Sequence, residues 1–178
     1  IDVSKYGLIY AGAQKNMGPA GTTLVIVNKD ILGKTNRDIP TMLDYQTHIS
    51  KDSMFNTPPV FSIYVSMLTL EWLQNNGGVE EIEKINNTKA KILYEEIDRN
   101  PLFIGFAEKE DRSTMNVTFN LVNQDLQEKF DLLCNNNGIN GLKGHRSVGG
   151  YRASLYNALP LSSVKHLINL MKKFEKEI

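Results

Sequence analysis

A single cysteine, Cys134, leaves no intramolecular disulfide and no multi-cysteine metal site in 178 residues. Net charge is also missing: 20 Lys and Arg stand against 20 Asp and Glu. Broad binding to nucleic acid or to an anionic membrane surface needs a cation surplus, so both are unexpected here. No apolar run approaches the roughly 20 residues of a membrane span. No secretory leader is recognisable. These absences together point to a soluble, reducing, cytoplasmic setting. An initiator Met is lacking too; the chain opens Ile1-Asp2-Val3, as a piece of a longer protein would. What remains, 41% hydrophobic and 22% charged residues, is the composition of an ordinary globular protein.

The hydrophobic pattern predicts an α/β chain. Residues 6–11 read as a short strand. Residues 12–21 hold three glycines and a proline among polar residues and read as a loop. Residues 22–27 (TTLVIV) are continuous and β-branched, which predicts a strand buried on both faces. Residues 60–74 carry apolar side chains nearly all round a helix (Val60, Phe61, Ile63, Tyr64, Met67, Leu68, Trp72), which predicts a largely buried one. Asn75-Asn76-Gly77-Gly78 ends it. A second helix over 79–99 has Ile82, Ile85, Lys89, Ile92, Leu93 and Ile97 on one face and stops at Asn100-Pro101. It reads as a connector into a small α+β lobe. There, residues 103–106, 115–121 and 151–156 read as strands. Leu126, Phe130 and Leu133 share one helix face, with a stop at residues 135–138. A last helix carries the stripe Val164, Leu167, Ile168, Met171 and Phe174.

Three segments hold residues suited to chemistry. Lys15 lies in a turn of small residues between two apolar strands. A lysine acting as a neutral nucleophile needs a lowered pKa, which a solvated surface lysine does not; the alternative is a plain surface loop. Asn56 and Thr57 precede Pro58-Pro59 and the helix at 60. They offer an amide and a hydroxyl beside a helix N-terminus that favours anions, or serve only as a helix-entry turn. Residues 141–152 contain four glycines with Lys143, His145, Arg146 and Arg152, and no acid. Guanidinium geometry suits phosphate and carboxylate; a solvated basic loop is the other reading. Cys134 falls inside a helix pattern as a small core residue. His48 and His166 have no partners at metal-ligand spacing, so no metal site is expected. The glycosylation patterns at Asn86 and Asn116 would matter only in a secreted protein.

The runs YAGAQKNMGPAG (10–21), SMFNTPP (53–59) and GLKGHRSVGGYRASLYNALP (141–160) occur in this order and spacing. With them the chain resembles the phosphoserine aminotransferases, fold-type I pyridoxal-phosphate enzymes of the class V aminotransferase family. The resemblance spans essentially the whole chain. It implies the C-terminal part of a large pyridoxal-phosphate domain at 1–78, a connecting helix at 79–100 and a small C-terminal α/β domain at 101–178. It implies that Lys15 carries the cofactor as a Schiff base and moves the substrate proton, with Gln14 beside the ring. Asn56 and Thr57 would bind the cofactor phosphate across a homodimer interface. His145 and Arg146 would take the substrate phosphate, and Arg152 its carboxylate. The implied reaction converts phosphoserine and 2-oxoglutarate to 3-phosphohydroxypyruvate and glutamate, with a second role on phosphohydroxythreonine in vitamin B6 synthesis.

The family's ring-pairing aspartate, stacking aromatic and phosphate-cupping loop have no counterpart among the 14 residues before Lys15. The chain alone is therefore expected to be inactive. A cysteine desulfurase, the nearest rival, needs an exposed nucleophilic cysteine. A nucleic-acid module built on Lys143, His145, Arg146 and Arg152 is disfavoured by the charge balance.

Overall fold

The alternation Val117, Phe119, Leu121 places three apolar side chains on one face of a strand, and all three are buried. The computed structural model describes residues 1–178. It divides into two units, Ile1–Asn75 and Asn76–Ile178.

The second unit is built on that strand. In chain order its elements are α3 (Gly78–Arg99), β3 (Phe103–Gly105), β4 (Asn116–Leu121), α4 (Gln127–Asn136), β5 (Tyr151–Ser154) and α5 (Leu161–Glu177). The strands form an antiparallel sheet of order β3-β4-β5. β4 is central because it alternates most cleanly and pairs on both edges. The helices pack on its apolar face. The α5 stripe predicted at helical spacing, Val164 to Phe174, is buried throughout. Phe130 of α4 stands edge-on to Phe103 at 5.1 Å and Tyr151 at 5.3 Å, and lies tilted against Phe174 at 5.1 Å. Such ring pairs add to plain area burial. α3 packs on α5, β3 and β4. The helix read as a connector is thus an integral wall of the second unit. Gly77 (φ 89°) lies in the left-handed region at the start of α3, where glycine carries no side-chain penalty.

The first unit contains β1 (Leu8–Gly12), β2 (Thr23–Val27), the short α1 (Tyr45–Ile49) and α2 (Val60–Asn75). β1 and β2 pair antiparallel, Leu8 opposite Val27 and Gly12 opposite Thr23. Two expectations fail here. β2 is not buried on both faces: Leu24 is 48% exposed and Ile26 44%. α2 is not buried either: Phe61 is 75% exposed and Trp72 40%, and Ser66 is its one buried residue. A continuous apolar pattern shows that an element needs cover on all sides. A two-stranded hairpin and two helices cannot supply that cover. Ala13 is the sole buried apolar residue in the first 75, whereas the second unit holds a contiguous core. None of the helices is long and apolar enough to cross a membrane.

Candidate functional site

Lys15 sits in the connection between β1 and β2. Ala13 N–H donates to the Thr22 carbonyl at 2.9 Å, closing the base of the loop. Lys15 N–H donates back to the Ala13 carbonyl at 2.6 Å, a tight turn that sends the Lys15 side chain outward, exposed. Gln14 folds its amide over Gly12. The far end of the loop is fixed to α2. A β-carbon on Gly18 would come within 3.0 Å of the Ser66 Cα, so only glycine allows the approach. The Ser62 hydroxyl donates to the Ala20 carbonyl at 2.9 Å. A sequence reading that stops at the lysine misses these two serines; their signal is a pair of small residues, i and i+4, on an otherwise bulky helix.

Asn56 and Thr57 are exposed in the segment before α2, and Asn56 Nδ2 donates to the Thr57 carbonyl at 3.1 Å. Just upstream, Asp52 (φ 48°) and Ser53 (φ 66°) occupy the left-handed region, a costly conformation for non-glycine residues. Ser53 N–H donates to the His48 carbonyl at 2.8 Å and holds that turn.

The glycine-rich basic run forms a loop in the second unit. Gly144 N–H donates to the Gly150 carbonyl at 2.8 Å, with Gly149 and Gly150 both left-handed. The His145 carbonyl accepts from Val148 N–H at 3.0 Å and Gly149 N–H at 2.8 Å. His145 Nδ1 lies 2.8 Å from the Ser147 hydroxyl and 3.3 Å from Ser147 N–H. Accepting at Nδ1 leaves the ring proton on Nε2, available to an anion. His145, Arg146 and Lys143 line one recess of about 400 Å³. Asn120, Gln124 and Gln127 also line it, and no carboxylate does. The sequence reading missed these amides. Asn120 is legible only as an outward position on β4, and the glutamines carry no motif.

Arg152 does not line that recess. Exposed on β5, it is among the residues lining a second cavity of about 450 Å³, with Asn140, Ser154, Ser162, Ser163 and His166. The structure therefore groups His145 with Arg146 and sets Arg152 apart. Unlike Arg99 and Arg112, which are paired with Glu96, Glu175 and Asp98, neither Arg146 nor Arg152 has a carboxylate within 4.0 Å.

Cys134 is buried in α4 within the core. Burial, with Asp131 nearby, pushes its thiol up to about 11, so the thiolate a nucleophile requires is scarce near neutral pH. The groups needed for a metal site do not converge: no three His, Cys, Asp or Glu side chains cluster.

The donor set suits a phosphorylated aldehyde cofactor. An amine, Lys15, stands exposed on a loop of small residues, and an amide–hydroxyl pair, Asn56 and Thr57, precedes a helix. The chain is 66% identical over its full length to a curated phosphoserine aminotransferase of Flavobacterium psychrophilum, covering 50% of that protein. A solved structure concerned with radiation damage of the Schiff base in phosphoserine aminotransferase superposes with a TM-score of 0.92. It is 51% identical, with 100% of this chain and 50% of that one covered. The PLP-bound phosphoserine aminotransferase from Trichomonas vaginalis matches with a TM-score of 0.88 and 39% identity, over 97% of this chain and 49% of that one. The chain spans about half the length of the curated relatives it matches. The family model for class-V aminotransferases matches residues 1–167, and the chain belongs to that family.

Proposed function

We propose that the protein containing this chain is a pyridoxal-phosphate-dependent transaminase acting between phosphoserine and 2-oxoglutarate, with the phosphohydroxythreonine of vitamin B6 synthesis as a further substrate. The observation that carries this reading is the 66% identity, over all 178 residues, to a protein named phosphoserine aminotransferase. The carboxylate-free recess of His145 and Arg146 supports it.

Lys15, Gln14, Asn56 and Thr57 would hold the cofactor. When bound, pyridoxal phosphate supplies the electron sink that labilises the substrate's α-proton. Lys15 Nζ would be the base for that proton, carried on a loop whose backbone is anchored at both ends. Gln14 lies on the same turn and would orient the ring. Asn56 and Thr57 would donate to the cofactor phosphate at the entry to α2, from the neighbouring subunit of a homodimer. His145 Nε2–H and the Arg146 guanidinium would bind the substrate phosphate, with charge complementarity setting specificity. Arg152 would bind the carboxylate common to both substrates.

The first unit bears Lys15 yet has almost no buried core, so the remaining half of the polypeptide is needed to cover β2 and α2 and to complete the site. The test is direct. The full-length protein, supplied with cofactor, phosphoserine and 2-oxoglutarate, should form glutamate, and the 178-residue chain alone should not. Failure of the full-length protein on phosphoserine, with turnover of an unphosphorylated donor, overturns the reading.

A further inference from the structure

We propose that Lys89 is a positioning residue for Arg152, holding from inside the core the turn that follows the strand on which Arg152 sits. The proposal rests on the reading of Arg152 as the carboxylate-binding arginine.

Lys89 lies on α3 in the apolar stripe with Ile82, Leu93 and Ile97, and is 0% exposed. Its Nζ donates to the carbonyls of Leu155 at 3.0 Å, Tyr156 at 2.9 Å and Leu159 at 3.1 Å. An ammonium has three N–H donors, and each has one acceptor. No carboxylate accompanies the charge, since Lys89 takes part in none of the ion pairs. Burial pushes its pKa below the ordinary lysine value. A buried, uncompensated cation is costly, and a methionine or leucine would pack on the same face of α3 without that cost. What the ammonium does, and an apolar side chain could not, is gather three backbone carbonyls.

Those carbonyls belong to the turn joining β5 to α5. Leu155 N–H donates to the Met115 carbonyl at 2.8 Å, continuing the ladder beyond Ser154, and Leu159 N–H donates to the Tyr156 carbonyl at 2.9 Å. Asn86, one turn earlier on α3, adds a second grip: its Nδ2 donates to Asn157 Oδ1 at 2.8 Å. α3 thus pins both ends of the segment 155–159. Arg152 stands three residues upstream on the same strand, opposite Thr118, with its N–H donating to the Leu142 carbonyl at 2.7 Å. With the downstream end fixed, the strand has one register and the guanidinium one point of departure. Without Lys89 the three carbonyls must seek other donors, the turn rearranges, and Arg152 spreads over several orientations.

The experiment uses the full-length, cofactor-loaded protein and a double-mutant cycle between Lys89→Met and Arg152→Ala. Lys89→Met should raise KM for both phosphoserine and 2-oxoglutarate about tenfold, as weakened charge-assisted bonding to the shared carboxylate would, with kcat within about threefold. Added to Arg152→Ala, it should raise KM no further. Additive KM losses, or a lowered melting temperature with unchanged KM, overturn the proposal. Arg152→Ala alone tests the underlying reading: unchanged KM there overturns that reading rather than the role of Lys89. Should Lys89→Met fail to fold, Asn86→Ala removes only the second grip. It should raise both KM values about threefold in the native background and not in Arg152→Ala. An equal rise in both backgrounds overturns the proposal.

Discussion

Arg146→Ala in the full-length protein should separate the phosphorylated substrate from the unphosphorylated one. Arg99 bridges Glu96 at 2.7 Å and Glu175 at 2.6 Å, and Arg112 forks onto Asp98 at 2.7 and 2.8 Å, so these cations are already committed. Arg146 has no such partner and lines the recess with His145 and Lys143. A phosphate there would receive at least one charge-assisted hydrogen bond from the guanidinium, worth about 1.5–3 kcal/mol. At about 1.4 kcal/mol per factor of ten, losing one such bond raises KM by roughly 10- to 150-fold. The recess is open to solvent, which screens charge and favours the lower end, about 10- to 30-fold. Glutamate brings no phosphate, so its KM should move less than about threefold. Initial rates with varied phosphoserine, then with varied glutamate in the reverse direction, give both values. Equal rises for the two substrates would refute phosphate recognition at Arg146. So would a fall in kcat with both KM values unchanged.

Further outcomes follow from the same geometry. Lys15→Ala should abolish turnover and the near-visible absorbance of amine-bound cofactor; a variant retaining both would remove Lys15 from its role. Phe130→Ala takes a ring from the junction of Phe103, Tyr151 and Phe174 and should cost about 3–5 kcal/mol in urea unfolding. A loss below about 1 kcal/mol would show that the cluster repacks freely. The hydrogen bonds from Arg112 hold the Asp98 carboxyl below its ordinary value of 3.8. A depressed carboxyl stabilises the fold above its unfolded pKa and loses that contribution as pH falls through the folded one. Native protein should therefore melt higher than Asp98→Asn at pH 7, and the gap should close as pH drops below that ordinary value. A gap independent of pH would assign the difference to packing.

Elements whose cover lies within their own unit were legible from the residues alone. The stripe Val164 to Phe174 repeats at the helical period and the run Val117 to Leu121 at the strand period, because each has a single apolar face and a solvated one. The candidate site was legible for a different reason: Lys15, Asn56, Thr57, His145 and Arg146 stand in three short runs that singly also fit plain loops or a helix-entry turn, and whose order and spacing together resemble one family. The amides sharing the recess with His145 were not, because Asn120, Gln124 and Gln127 come to it from β4, the turn after it and the start of α4.

By itself the sequence determined the order of the longer helices and of the strands, though not the short α1 (Tyr45–Ile49), together with the second-unit core and the inert placement of Cys134. These depend on local periodicity and side-chain chemistry, which neighbours along the chain already express. Only the tertiary structure decided that β2 and α2 stand uncovered within these 178 residues, that Arg152 and Arg146 line different cavities, and that Lys89 spends its charge on three carbonyls. Each of these is set by partners distant in sequence or by their absence, and periodicity states what an element requires without stating what meets it.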